Sequence, residues 1–442
     1  MTAPIAASPP ARGRSLGFWL ESVVYAMAGL PLALGWSRPP PGTDKQAIRA
    51  TWLRRFRHPH GLNETSALIA GILLLPILLP AMVIGLTLRN GPAIRRLAGI
   101  GRRHQALQQL RLFVREGMLP PWYYIFELHD PAHAADAGRY VTRFETKRGV
   151  YPALRRTGPV SPLRDKARFA DHCRARSIRC TPTLCEVRGG RLIGAETLPE
   201  ESFFVKPAAG RGGTGTERFE LVAPGRYRNA HGHDFDAAAL RRHLEHRSHT
   251  TALVVQPRLV NHPALADLSC GALSTVRALS CLDEGGEPVV THAVFRMAIR
   301  PGAVVDNFHA GGIAAAVDLA DGALGSATDL GLIARTGWVD AHPRTGAAIV
   351  GRRLPFWPET LALAADAHRV FGDHAIIGWD IAILADGPCI VEGNGGPDVD
   401  LIQRPHRAPL GGTRFAEICA WRLARAQCVE AAPDEHRTVR LS

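Results

Sequence analysis

At 442 residues and 46% hydrophobic composition, the chain is long enough for two or three domains with sizeable cores. Its formal charge of +13 suggests a nucleic-acid partner, but residues 1–120 carry about 15 Lys/Arg against 4 Asp/Glu, which leaves only about +2 for the remainder. No zinc-finger, RNP or arginine-rich pattern accompanies the basic segment, and the 8 cysteines contain no C-x-x-C pair, so nucleic-acid and cysteine-metal functions are set aside.

Residues 16–36 are apolar around Glu21, and residues 67–88 form about 22 residues without a charge. At ~1.5 Å per residue the second stretch is long enough to cross a ~30 Å hydrocarbon core as a helix. Nothing in either stretch reads as a simple cleaved signal peptide. Arg49, Arg54, Arg55 and Arg57 precede the second stretch and Arg89, Arg95, Arg96, Arg102 and Arg103 follow it, so the positive-inside tendency draws both flanks to the cytoplasmic side. A single pass satisfies one flank only. An even number of crossings satisfies both, and so does a monotopic or re-entrant anchor in which Pro76 and Pro80 break the helix. The anchor is the expectation, at the cytoplasmic face of the inner membrane; the competing reading is a buried helix of a soluble protein, which is rarely apolar on all faces for this length. The expected division is a membrane-associated basic region over 1–120, a catalytic domain over 121–425 and a tail over 426–442.

Residues 166–173 read as a helix. Residues 203–222 read as strand, loop, strand: Phe203-Phe204-Val205-Lys206-Pro207 leads into Gly210, Gly212, Gly213 and Gly215, and residues 217–222 alternate like a second strand. A dinucleotide G-x-G-x-x-G must open a helix, a Walker loop places its lysine after the glycines, and a protein kinase needs His-Arg-Asp and Asp-Phe-Gly, which do not occur. What remains is a flap over a nucleotide, with a cation and unhindered backbone N–H groups for phosphate oxygens. His243, His246 and His249 lie among Arg241, Arg242 and Arg247 and read as a solvated helix face.

Residues 273–281 and 289–298 read as a hairpin that brings Arg277 and Arg296 together as an anion site, unless one is ion-paired on the surface. Beyond it, Gly311-Gly312 offers close backbone approach to a carboxylate or phosphate, beside Asn307 and His309. His309 reads equally as a substrate or acid–base group and as a structural residue. Last, Gly378-Trp379-Asp380-Ile381 and Ile390-Val391-Glu392-Gly393-Asn394 read as a buried strand pair. Glu392 and Asn394 share one face, and a three-residue turn at 385–387 would set Asp380 opposite Glu392. Three hard oxygen ligands then suit magnesium, whereas solvated carboxylates on an edge hairpin are the alternative.

In order along the chain, Leu163-Arg164-Asp165-Lys166, the Lys206 loop, Val254-Val255-Gln256-Pro257-Arg258-Leu259, Leu273-Ser274-Thr275-Val276-Arg277, Phe295-Arg296-Met297, residues 306–313 and the acidic hairpin resemble the sugar-transfer-associated members of the ATP-grasp superfamily. The likeness covers roughly residues 120–425. It implies an α+β ATP-grasp fold, two subdomains clasping ATP. It further implies Lys166, Lys206 and the loop glycines on ATP phosphates, a hinge at Gln256, Arg258 and Leu259 reading adenine through its backbone, and magnesium on Asp380, Glu392 and Asn394. Arg277, Arg296 and His309 are the expected catalytic groups, and Asn307, His309, Gly311 and Gly312 the substrate contacts. The implied reaction activates a carboxylate with MgATP as an acyl phosphate and passes it to an amine or other nucleophile. A saccharide or lipid-linked acceptor of the cell envelope fits both the family and the anchor. Two alternatives stand beside it: a non-catalytic nucleotide-binding module of a polysaccharide assembly system, and an ATP-grasp kinase.

Overall fold

The computed structural model describes residues 16–36, 43–59, 61–155, 161–210, 215–300, 311–334 and 337–431. Four helices come first: α1 (Leu16–Ala33), α2 (Asp44–Arg57), α3 (Gly61–Ala98) and α4 (Arg102–Glu116). Four short helices follow, α5 (Pro120–Ile125), α6 (Pro131–Ala135), α7 (Arg143–Glu145) and α8 (Tyr151–Ala153), then α9 (Lys166–Arg174).

Two seven-stranded antiparallel sheets make the rest. The first contains β1 (Cys185–Arg188), β2 (Arg191–Ile193), β3 (Phe203–Pro207), β4 (Glu217–Ala223), β5 (Arg226–Asn229), β6 (Asp234–Asp236) and β7 (Leu253–Pro257), in the order β2-β1-β7-β3-β4-β5-β6. Helix α10 (Ala237–Ser248) covers it: Leu240 and Leu244 pack with Phe203, Val205, Phe219, Tyr227 and Val255.

The second sheet contains β8 (Thr275–Leu282), β9 (Pro288–Met297), β10 (Ile313–Val317), β11 (Leu324–Thr328), β12 (Trp338–Val339), β13 (Ile376–Leu384) and β14 (Gly387–Asn394), in the order β12-β11-β10-β9-β8-β13-β14. Alternation sends Val276, Ala278, Phe295, Trp379 and Ile381 to one face, against Trp357, Ala364 and Ala367 of α11 (Trp357–Val370). Leu279, Cys281, Val294 and Ile376 go to the other face, against Ile402 of α12 (Asp400–His406) and Phe415, Cys419 and Leu423 of α13 (Arg414–Ala431). With both faces covered, every residue of β8 is buried.

Ile48 of α2 belongs to that second cluster, so the amino-terminal region contributes to the core around the second sheet. Lys45 and Arg49, both buried, pair with Glu145 under the same helix.

Helix α3 runs unbroken through Pro76 and Pro80, which corrects the expected break there. Each proline deletes one backbone hydrogen bond without ending the helix. At ~1.5 Å per residue its 38 residues reach ~57 Å. Both ends are tied to the protein. Gly71 lies so close to α1 that a Cβ there would meet the Ala26 methyl at 2.6 Å. Farther along, Gln109 donates to Thr87 at 2.8 Å and Asn90 donates to the Leu332 carbonyl at 3.2 Å. The apolar middle is only 22% buried, with Leu73 and Ile77 outward.

Candidate active site

Lys166 opens α9, whose N-cap Asp165 accepts from the N–H groups of Ala167 and Arg168 at 3.0 and 3.1 Å. That cap satisfies orphan donors of the first turn and fixes where the lysine leaves the helix. Its Nζ reaches the carbonyls of Pro207 and Gly210 at 3.2 and 3.5 Å, so Lys166 stands at the mouth of the glycine-rich loop. Lys206, on β3, lies 5.7 Å from the Phe204 ring centroid. Gly210 adopts φ 144° and Gly215 φ 76°, conformations open to glycine; Gly212 and Gly213 lie outside the described residues. Arg247 of α10 ties the far end of the loop, donating to the Gly215 carbonyl at 3.0 Å and pairing with Glu217 at 2.8 Å. Sequence reading took Arg247 as solvated; only its contact with a loop distant in sequence reveals the bracing role.

On β7, Gln256 is buried and its Oε1 has no hydrogen-bond partner among the described residues. A buried amide oxygen left unpaired calls for a donor, and the exocyclic amine of an adenine supplies one. The Arg258 N–H donates to the Ser202 carbonyl at 3.0 Å and Leu259 is half-buried. From there the chain crosses to the second sheet, where the His262 N–H meets the Ile383 carbonyl at 2.8 Å. The expected hinge therefore sits at the join between the sheets.

The second sheet gathers the charges on one face. Asp380 pairs across β13–β14 with Glu392 and across β13–β8 with Arg277, while Gly378 pairs with Asn394. The expected three-residue turn is corrected: Leu384 pairs with Gly387 around the two-residue turn Ala385-Asp386, and a register shift between Asp380 and Ile381 restores the Asp380–Glu392 pairing. A bulge adds one residue to one strand, here Val391, and so supplies the offset otherwise assigned to the turn.

Arg277 donates to Asp380 through Nε and, at 2.8 Å, through Nη2; Arg296 reaches the same carboxylate at 3.2 Å and Thr275 Oγ1 at 3.1 Å. The two arginines do stand together, buried, and their anion is Asp380 itself. They hold its carboxyl down to about 2, against the opposing effect of burial. Glu392 goes the other way. Burial and the adjacent Asp380 raise its pKa, Arg277 and then Lys166 acting in opposition, and Asn394 Nδ2 donates to its Oε1 at 3.3 Å.

The donor set, two carboxylates and an amide oxygen, is hard and suits magnesium. Glu392 is the carboxylate whose charge is least compensated, and a divalent cation is what its environment lacks; Asp380 is already neutralised by guanidinium groups. The residues therefore fit a magnesium centred on Glu392 and Asn394, with Asp380 as their braced neighbour. Gly311, φ 93°, lies close enough to Arg300 that a Cβ would approach its Nη2 to 3.2 Å, and Gly312, just before β10, is buried. Asn307 and His309 lie outside the described residues.

A family model for sugar-transfer associated ATP-grasp proteins matches residues 162–414, more than half of the chain. Among solved structures the chain is similar to a D-alanine–D-alanine ligase from Coxiella burnetii, at 10% identity and a TM-score of 0.33 over 61% of this chain and 59% of that one. An ADP complex of PurK, an N5-carboxyaminoimidazole ribonucleotide synthetase, gives 11% identity and 0.33 over 57% and 54%. The chain thus spans less than two thirds of either neighbour, and at these scores neither bears on its chemistry. No curated protein matches.

Proposed function

Because the chain belongs to the sugar-transfer associated ATP-grasp family, we propose that it is an ATP-dependent ligase that activates a carboxylate as an acyl phosphate and passes it to an amine or other nucleophile. The observation that carries this reading is Lys166. It touches the Pro207 and Gly210 carbonyls of the glycine loop, and the turn Pro162–Arg164 just before it packs on β14, Leu163 lying against Gly393 next to Glu392, which supports phosphate-type and magnesium-type groups facing one space. Lys166, Lys206 and the loop amides would hold the phosphates of ATP, Gln256 its adenine, and Glu392 and Asn394 beside Asp380 its magnesium. Bound there, MgATP supplies an electrophilic phosphoryl group. The chain's own contribution is positioning and charge. Phosphoryl transfer is limited by the negative charge on the moving oxygens, so the lysines neutralise it while Arg277 and Arg296 keep Asp380 ionised and in register.

The site acts from the cytoplasmic face of the inner membrane in this proposal, with α3 lying along the lipid surface as a monotopic anchor. The support is that both ends of α3 are fastened to the same body while Leu73 and Ile77 face outward. An acceptor from envelope saccharide or lipid-linked chemistry would then be within reach. Product analysis tests the reaction. Purified protein with MgATP and envelope extracts should give ADP with an amide or ester conjugate; a phosphomonoester would make it a kinase, and absence of turnover a nucleotide-binding module.

A further inference from the structure

Residues 89–115 hold seven arginines and no acidic side chain. Arg89, Arg95 and Arg96, in the last turns of α3, are exposed, and so are Arg102, Arg103, Arg111 and Arg115 of α4. None of the seven has an ion pair or a side-chain hydrogen bond among the described residues. Glu116, the next acid along the chain, turns inward to the buried Arg49 at 3.3 Å. Exposed arginines farther along do meet acids: Arg179 pairs with Asp386, Arg228 with Asp234 and Arg414 with Glu284. Like charges crowded on one surface repel, so a cationic face without acids of its own points to an anionic partner.

The same face is apolar as well as cationic. Gln105, Gln109 and Phe113 form the buried seam of α4, with Gln109 donating to Thr87 and Gln105 to the Gly91 carbonyl of α3 at 2.8 and 3.2 Å. On the side away from that seam, Leu107, Leu110 and Val114 are exposed, and their spacings of three and four place them on one stripe. Arg103 continues the stripe one turn earlier, and Arg111 and Arg115 border it. Leu97, also exposed, stands at the turn from α3 to α4 between Arg96 and Arg102, while exposed Ile84 and Leu88 carry the outward apolar run of α3 up to Arg89. An apolar stripe bordered by arginines is the pattern of a helix lying among lipid headgroups, where long side-chain stems lift the guanidinium groups to the phosphates.

We propose that the stretch from Arg89 to Arg115 is a docking face for an anionic lipid bilayer, with its arginines on headgroup phosphates and Leu107, Leu110 and Val114 sunk to the first acyl carbons. The assignment deepens the membrane reading above and rests on it, adding a second helix and a lipid charge that the apolar run of α3 does not specify. Leu73 and Ile77 need only hydrocarbon, which every bilayer offers. The arginines need charge, and each one brought to an anionic surface contributes about fivefold in affinity.

The test mixes the full chain with phosphatidylcholine vesicles and with vesicles in which about a third of the lipid is phosphatidylglycerol, and measures bound protein by sedimentation. The charged vesicles should bind ~100-fold more tightly or better, and high salt should bring that affinity down towards the neutral value, because exposed charges are screened. Arg103→Gln, Arg111→Gln and Arg115→Gln together should lose ~100-fold on charged vesicles and leave binding to neutral ones at the parent level. Leu110→Glu with Val114→Glu should weaken binding to charged vesicles as well. All five positions are exposed, and unchanged unfolding midpoints verify that the variants fold. Equal affinity of the parent for the two vesicles overturns the proposal, as does a triple variant that binds charged vesicles like the parent. Parent-like binding by the Leu110, Val114 variant also overturns it, since any soluble polyanion would then serve. Binding of the parent to neither vesicle counts instead against the membrane reading itself.

Discussion

Replacing Arg277 by alanine removes the two hydrogen bonds that Nε and Nη2 give to Asp380, leaving Arg296 at 3.2 Å as its remaining cation among the described residues. Two routes give the size of the effect. The fall of the Asp380 pKa from 3.8 to about 2 corresponds to about 2–3 kcal/mol of stability at neutral pH, since each unit is worth ~1.36 kcal/mol. Breaking a buried pair by removing one partner typically costs about 3–5 kcal/mol, because the stranded charge is included. With Arg296 still in place the lower end applies, so Arg277→Ala should lose about 3 kcal/mol in urea unfolding followed by tryptophan fluorescence. Adding Asp380→Ala to that variant removes the stranded carboxylate, and the cycle should show a coupling of about 2 kcal/mol. The pH dependence has a definite sign. A carboxyl with a depressed folded pKa stabilises above its unfolded value near 4 and loses that contribution as pH falls towards 2, so the gap between parent and variant should narrow over that interval. A loss under about 1 kcal/mol, strict additivity in the cycle, or a gap that stays constant down to pH 2 would refute the bracing of Asp380.

Magnesium should raise the thermal midpoint of the parent, by up to about 2.7 kcal/mol of stabilisation at a hundredfold excess over its dissociation constant, and Glu392→Gln should abolish the shift; an equal shift in the variant places the metal elsewhere. Lys206→Ala should lower ATP turnover ~10²–10³-fold, and values of rate and ATP affinity both within about twofold of the parent rule the phosphate role out. Leu73→Glu with Ile77→Glu should move the protein from the membrane to the soluble fraction with stability changed by under about 0.5 kcal/mol each, since these side chains are 69% and 67% exposed; continued sedimentation with membranes would discount α3 as the anchor. Cysteines introduced near Arg54 and Arg96 should both resist an impermeant thiol reagent in intact cells, and labelling at one flank alone would mean a single pass.

The elements that carry the site were legible in the chain because their signals are local. A helix start at Lys166, strand alternation around the glycines after Lys206, and the two-residue spacing of Glu392 and Asn394 depend on side-chain period and turn chemistry, which neighbouring residues specify. The N-terminal apolar run was equally plain, since charge-free length needs no partner to be read. Register was not. The Asp380–Glu392 pairing came out of a two-residue turn plus a bulge at Val391, and a bulge is set by how β13 packs against β8, not by the turn sequence. Nor could the sequence show that α3 continues through Pro76 and Pro80, because a helix fastened at both ends by Gly71, Thr87 and Asn90 tolerates two missing hydrogen bonds that an isolated one does not. The partner of the two arginines was also a tertiary matter. Arg277, Arg296 and Asp380 come from three strands, and only their order in the sheet decides that the cations neutralise a carboxylate of the protein, which leaves Glu392 as the neighbouring acid whose charge burial opposes.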